Sequence, residues 1–193
     1  MNPVLANLYA RRSICAFADT PLPPYQLREI LTAGQYAPSG RNRQACHFLC
    51  IHTPEILTQL KTLSCRVLSD MEITPDTNPS LVHSIEQAKK GTCNFTYGAP
   101  VLVLVANRQN YNNALADSAC AIENIMLAAT SFGIGSCYIN QIRWLRDEPL
   151  IRQMLLSFGM KEDETIYGGV SLGYAAQSPA APLARTGNPI TML

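Results

Sequence analysis

The sequence predicts a single layered domain of alternating helices and strands, of the α/β or α+β class. Three observations predict it. Apolar stretches of helical period alternate with short β-type runs. One run, "APVLVLVANR" at 99–108, is unbroken and rich in β-branched residues, as a strand buried on both faces requires. The chain has 193 residues, 47% hydrophobic and 15% charged, enough apolar material for one sizeable core.

The elements follow in order. Residues 3–12 form a short helix with Leu5, Leu8 and Tyr9 on one side. "PPYQLREILTAGQYA" opens on proline, as a first helical turn allows, and brings Leu27, Ile30, Leu31 and Gly34 to one face. "HFLCIH" is a short strand. Thr53-Pro54-Glu55 caps a helix whose face is Ile56, Leu57, Leu60 and Leu63. Residues 72–81, "EITPDTNPSL", are rich in turn formers and read as a loop. "HSIEQAKKG" is a short helix. The long strand comes next, then a helix over about 112–132, a brief strand "GSCYIN", the helix "DEPLIRQMLLSFG" and the strand "TIYGGVSLGYA". The tail, 176–193, has three prolines and no periodicity, yet ends on an apolar Ile190–Leu193; it is expected to dock on another surface, such as a second subunit.

Composition excludes several functions. A net charge of +1 with no basic run argues against electrostatic capture of nucleic acid. The longest low-charge stretch, "ALADSACAIENIMLAATSFG", is broken by Asp117 and Glu123 and reads as a buried helix, not a membrane span. Those two acids are expected to pair with arginines or to face a water-filled gap. No secretory signal pattern opens the chain. Seven cysteines occur, an odd count without any CxxC pair, so zinc-ribbon and ferredoxin spacings are absent and reduced thiols in the cytoplasm are expected. His47, His52 and His83 lack metal-ligand spacing. Phosphate-loop, zinc-protease and nucleophile-elbow motifs are missing, and "GIGSCY" lacks the third glycine of a dinucleotide turn.

Two polar clusters remain. "ARRSICAF" (10–17) offers two guanidinium forks and a hydroxyl in Arg11, Arg12 and Ser13, a set suited to a phosphate because arginine matches phosphate with paired, charge-assisted hydrogen bonds. "APSGRNRQ" (37–44) adds Ser39, Asn42 and Gln44, neutral donors and acceptors for an uncharged ligand edge. Arg185, in an otherwise apolar tail, is another phosphate partner of the same type.

The order of "RRS", then "APSGRNRQ", then "GAPVLVLV", "GIGSCY" and "GGVSLGY" resembles the nitroreductase family of flavoproteins, over about Leu8 to Arg185. That resemblance implies an α+β, three-layer α/β/α fold, a mixed sheet flanked by helices, in a domain-intertwined homodimer with two FMN molecules at the subunit interface. It assigns Arg11, Arg12 and Ser13 to the FMN phosphate and ribityl side. Pro38, Ser39, Gly40, Asn42 and Gln44 fall in the loop that closes on the partner subunit's flavin. The backbone of Gly135, Ser136, Cys137 and Tyr138 approaches the ring, and Arg185 returns to the phosphate.

Two departures stand out. Cys15 occupies a position where many members carry a basic residue near the N1/O2 edge of the flavin. "QACHF" replaces a bulkier proline–tryptophan wall. The activity implied is alternating two-electron transfer: NADH or NADPH donates, and a small flat aromatic acceptor, a nitroaromatic or a quinone, receives at the same ring face. No catalytic side chain is required, because flavin carries the chemistry. Two rival readings are a flavin-binding or storage module without turnover and a specialised branch that cleaves flavin or removes halogen.

Overall fold

The computed structural model describes residues 1–179, 181 and 185–193. The chain runs α1 (Pro3–Ala10), α2 (Pro24–Gln35), a single 3-10 turn (Gly40–Asn42), β1 (His47–Ile51), α3 (Pro54–Asp70), α4 (Pro79–Lys89), β2 (Val101–Arg108), α5 (Ala114–Ser131), β3 (Gly135–Ile139), α6 (Gln141–Leu145), α7 (Pro149–Ser157) and β4 (Glu164–Gly173). The sheet order is β1-β2-β4-β3. All three pairings between these strands are antiparallel. The parallel component is one bridge, Ser13 to Ser136, on the outer side of β3.

β2 organises the core by its parity. Val101, Val103 and Val105 face one layer with Ile30 of α2 and Ile122, Ile125 and Ala129 of α5. Leu102, Leu104 and Ala106 face the other, with Leu57, Leu60 and Leu68 of α3, Ile85 of α4, Ile142 of α6 and Ile151 of α7. Alternate residues of a strand point to opposite faces, so an unbroken apolar run needs a helical layer on each side. Each fully buried leucine or isoleucine contributes about 1.5–3 kcal/mol. The register shifts between Val105 and Ala106, which pair with Gly168 and Ile166 and leave Tyr167 unmatched. This bulge inverts parity along β4: Ile166 packs with the α3 layer, whereas Val170 and Leu172 pack with the α5 layer.

Three local expectations are corrected. Residues 72–81 are not all loop: α4 starts at Pro79, because the Asn78 side chain accepts from the Ser80 N–H and proline occupies the first turn. Asn-Pro, a turn signal in isolation, is here a helix start. Thr53 precedes α3 without a side-chain capping bond. The cysteines are not all reduced: Cys65 of α3 and Cys93 form a disulfide with Cα atoms 5.8 Å apart. The pairing is invisible in sequence because the two lie 28 residues apart and meet only when α3 and α4 pack. Closing such a loop stabilises the fold by about 3–4 kcal/mol. Cys15, Cys46, Cys50, Cys120 and Cys137 are free. Among the described residues, no helix is long and apolar enough to cross a membrane, and no His, Cys, Asp and Glu group could hold a metal.

Candidate functional site

The first polar cluster is built on β3. After α1 the chain extends, and the Ile14 N–H donates to the Ser136 carbonyl at 2.9 Å, beside the Ser13–Ser136 bridge. Gly135 makes this approach feasible, since a Cβ there would lie 2.8 Å from Ile14 Cγ1. The pairing thus sets Arg11, Arg12, Ser13 and Cys15 alongside Gly135, Ser136, Cys137 and Tyr138, two stretches more than a hundred residues apart.

Arg11 Nε lies 3.3 Å from Glu123 Oε1 on α5, a half-exposed pair worth at most about 1 kcal/mol. Glu123 therefore has the arginine partner expected of it. Arg12 Nη1 donates to the carbonyls of Tyr9, at 2.8 Å, and Arg11. Arg12 Nε and the Ser136 hydroxyl are buried with no hydrogen-bond partner. A buried donor left unmatched costs about 1–3 kcal/mol, so each of these atoms would gain from an acceptor.

Around Cys137 the electrostatics are those of an apolar wall. Burial, with the neighbouring Cys15 thiol adding to it, pushes the Cys137 thiol up to about 12. Burial also raises the Tyr138 phenol, against the opposing influence of Arg143.

The second cluster is a strained loop pinned to the start of α5. Arg41, Asn42 and Gln44 have φ of 55°, 52° and 49°, the left-handed region that non-glycine residues avoid. Local bonds hold it: the Gln44 N–H donates to Ser39 Oγ at 3.0 Å, Gln44 Nε2 to Asn42 Oδ1 at 3.1 Å, and the Asn42 N–H to the Ser39 carbonyl at 2.8 Å. The anchor is Asp117, which is 6% exposed. It accepts from the Gly40 N–H at 3.2 and 3.3 Å and from the Tyr111 hydroxyl at 2.9 Å. Arg43 lies over the Tyr111 ring at 5.0 Å. A side chain at Gly40 would meet Asn113 and Tyr111 at 2.3 and 2.5 Å. Asp117 and Tyr111 were not legible as site residues. Asp117 was expected to pair with an arginine or face a water-filled gap, and instead it takes a backbone N–H and a phenol. The available signal was an acid in the first helical turn.

Two cavities take in residues of the second cluster, and neither reaches the first. Pro38, Ser39, Asn42 and Gln44 line a pocket of about 560 Å³ with Tyr36, Phe48 and Asp117. A larger groove of about 1380 Å³ runs beside α2 and the outer strand β1 and takes in Gln44, but neither cavity includes Arg11, Arg12, Ser13 or 135–138. Arg185 is exposed in the tail and lines neither. The residues 180 and 182–184 of the tail lie outside those described.

The chain belongs to the nitroreductase family, whose model matches residues 8–174. It is similar to a nitroreductase with bound FMN from Bacteroides fragilis, at 36% identity and a TM-score of 0.89, with 100% of each chain covered. Another FMN-bound nitroreductase, from Desulfitobacterium hafniense, shares the fold at 24% identity and a TM-score of 0.79, again over 100% of both chains. Among curated relatives, a 4-nitrobenzoate reductase of Nocardioides sp. is 25% identical, covering 96% of this chain and 86% of its own.

Proposed function

We propose that this chain is an FMN-dependent oxidoreductase that moves two electrons from NADH or NADPH to a flat aromatic acceptor, a nitroaromatic or a quinone. The observation that carries the reading is the Ser13–Ser136 bridge, which sets Arg11, Arg12 and Ser13 beside Ser136, with Arg12 Nε and the Ser136 hydroxyl unmatched among the described residues. They fit a phosphate dianion: two guanidinium groups and two hydroxyls, joined across one strand bridge. When bound, FMN supplies the hydride and electron chemistry. The protein's part is to anchor, orient and shield. Arg11, Arg12, Ser13 and Arg185 hold the anionic end. Cys15, with the backbone of Gly135, Ser136, Cys137 and Tyr138, lies against the ring. Pro38, Ser39, Gly40, Asn42 and Gln44 close on it.

We infer that the loop closes on the flavin of a second copy, in a homodimer. Neither of the two cavities beside the loop includes the arginine cluster. The single chain also exposes apolar surface that a monomer seldom leaves uncovered: Val4 and Tyr9 of α1 are 66% and 61% exposed, and Ile190 in the tail is 88% exposed. The groove beside the unpaired edge of β1 fits an extended segment, and residues 176–193 of the partner are the segment we assign to it. One domain, 1–193, with that tail exchanged between subunits, is the organisation this implies. We infer a cytoplasmic location, where the nicotinamide donor is abundant, from the five free thiols, against which stands the Cys65–Cys93 disulfide.

The test is one absorbance spectrum of the purified protein, before and after each pyridine nucleotide. A flavin spectrum that bleaches with NADH or NADPH and returns with a quinone supports the reading. A colourless protein that gains no flavin spectrum with added FMN defeats it. Cys15, standing where a positive charge would favour reduced flavin, supports the rival reading of a flavin-binding module without turnover. A yellow protein that no donor bleaches, reduced ferredoxin included, would establish that rival.

A further inference from the structure

We propose that the Cys65–Cys93 disulfide is a reversible redox latch: a dithiol reductant opens it and frees an arm of the fold, residues 71–94, that carries α4. Between 71 and 94 only Ser84 and Ile85 are buried, both on α4. Leu81, Ala88 and Cys93 add partly buried contact with the α3 layer. Among the described residues, no hydrogen bond or ion pair joins 72–92 to the rest of the protein. The bonds present, such as Thr77 with Thr74, Ser80 with Asn78 and Thr92 with Gln87, stay within the arm. A region with so little buried apolar surface lies at the low-stability end of a fold. Closing a long loop covalently stabilises more than burying a single isoleucine, so the disulfide is the arm's main fastening.

The two halves of the latch are held differently. Cys65 lies on α3, which Leu57, Leu60 and Leu68 fix in the core. Cys93 lies on the arm. Just beyond it Phe95 and Thr96 are buried, and Tyr97 and Gly98 follow at φ of 57° and 77°. These two consecutive left-handed residues turn the chain towards β2, so opening ends at that anchor and leaves the sheet in place. Cys65 and Cys93 are both partly exposed, within reach of a solvent thiol. The other five cysteines are free, so this bond is where a reductant acts on the chain. One thiolate of the dithiol attacks a sulfur of the bond, forming a mixed disulfide and releasing the other cysteine, which takes up a proton. The second thiol of the reductant then attacks the mixed disulfide, closes its own disulfide and releases the second cysteine, which takes up the second proton. The protein bond gains two electrons and two protons, and the dithiol loses them. A small disulfide, itself reduced to two thiols, closes the latch by the same exchanges in reverse.

The test uses the full-length protein, purified without reductant and then held with dithiothreitol under native conditions. Samples are acid-quenched, alkylated with iodoacetamide under denaturing conditions and weighed, and parallel samples are followed by deuterium exchange. Alkylation should count five thiols before treatment and all seven after it. Amides of 79–92 should then exchange roughly a hundredfold faster, while β2 and β4 keep their rates. Removing dithiothreitol and adding oxidised glutathione should restore the Cys65–Cys93 peptide and the slow exchange. Cys65→Ser with Cys93→Ser should exchange at the fast rate with or without dithiothreitol; should that variant not fold, the reduced wild type gives the same reading. Five thiols that persist in the folded protein, seven thiols with unchanged exchange at 79–92, or faster exchange that spreads into β2 and β4 would each overturn the proposal. None of these readouts depends on bound flavin, so failure here leaves the oxidoreductase reading intact.

Discussion

The arginine segment and the 37–44 loop are both polar, both short and both flank α5, yet they are held by opposite means. Residues 11–15 lie along β3 through backbone pairing, with Ile14 buried beneath them, and Arg12 Nε is left without a hydrogen-bond partner among the described residues. Residues 38–44 have little core of their own. Three left-handed residues and a mesh of side-chain bonds shape them, and Asp117 anchors the whole. A segment placed by the backbone can spend its side chains on a ligand, whereas a segment placed by its side chains cannot. The first region therefore reads as the anchor and the second as the clasp.

The largest expected effect separates anchoring from folding. Arg11→Ala with Arg12→Ala removes two charge-assisted partners, each worth about 1.5–3 kcal/mol, so the FMN dissociation constant should rise at least about a hundredfold. Riboflavin, which lacks the phosphate, should bind the variant and the wild type alike. Fluorescence titration with both flavins checks this. An equal loss for both would mean that the arginines act only on the fold.

Next comes the clasp. Asp117→Ala leaves the Gly40 N–H and the Tyr111 hydroxyl without their acceptor. A loss of about 2–4 kcal/mol is expected, seen as a fall of about 4–16 °C in the thermal midpoint. An unchanged midpoint would refute the anchor. Gly40→Ala should cost about 1–3 kcal/mol, because the new methyl group meets Asn113 and Tyr111 and displaces the phenol from Asp117. Calorimetry of Gly40→Ala in the Tyr111→Phe background sharpens the point, since part of the penalty should vanish.

The smallest effect lies outside both regions and serves as a control. Burial works against the charge of Glu164. The His47 ring at 2.8 Å and the Lys161 N–H at 2.9 Å outweigh it and hold the carboxyl below its ordinary value of 4.5. A carboxyl depressed by folding stabilises the native state above its unfolded pKa. That contribution is lost as pH falls through the lower, folded value. Urea unfolding should therefore show stability declining below about pH 4.5, with a shallower decline in Glu164→Gln. Flavin affinity of that variant near neutrality should not change.

What could be read from the sequence tracks the same division. The unbroken "VLVLVA" run declared a doubly covered strand, and Leu57, Leu60, Ile30 and Ile125 lie in the layers that cover it. "RRS" and "APSG" stood out as candidates because phosphate and turn chemistry demand particular residue types. Asp117 was not, because its partners are a backbone N–H and a phenol that only the fold supplies. The β4 bulge at Tyr167 was hidden for a related reason: parity inverts without any change in local composition. The Cys65–Cys93 pairing and the start of α4 at Pro79 depend on packing and capping that no hydrophobic period encodes.

The claim on which this account turns is that one flavin is anchored by one chain and clasped by the other. Two variants with distinct affinity tags test it most directly: Arg11→Ala/Arg12→Ala, and Asp117→Ala with Gly40→Ala, each unable to hold FMN by itself. Co-expressed and purified through both tags, the mixed dimer combines intact arginines from one chain with an intact loop from the other. It should bind one FMN per two chains. A mixed dimer that binds none, or a protein that never forms one, would contradict the account.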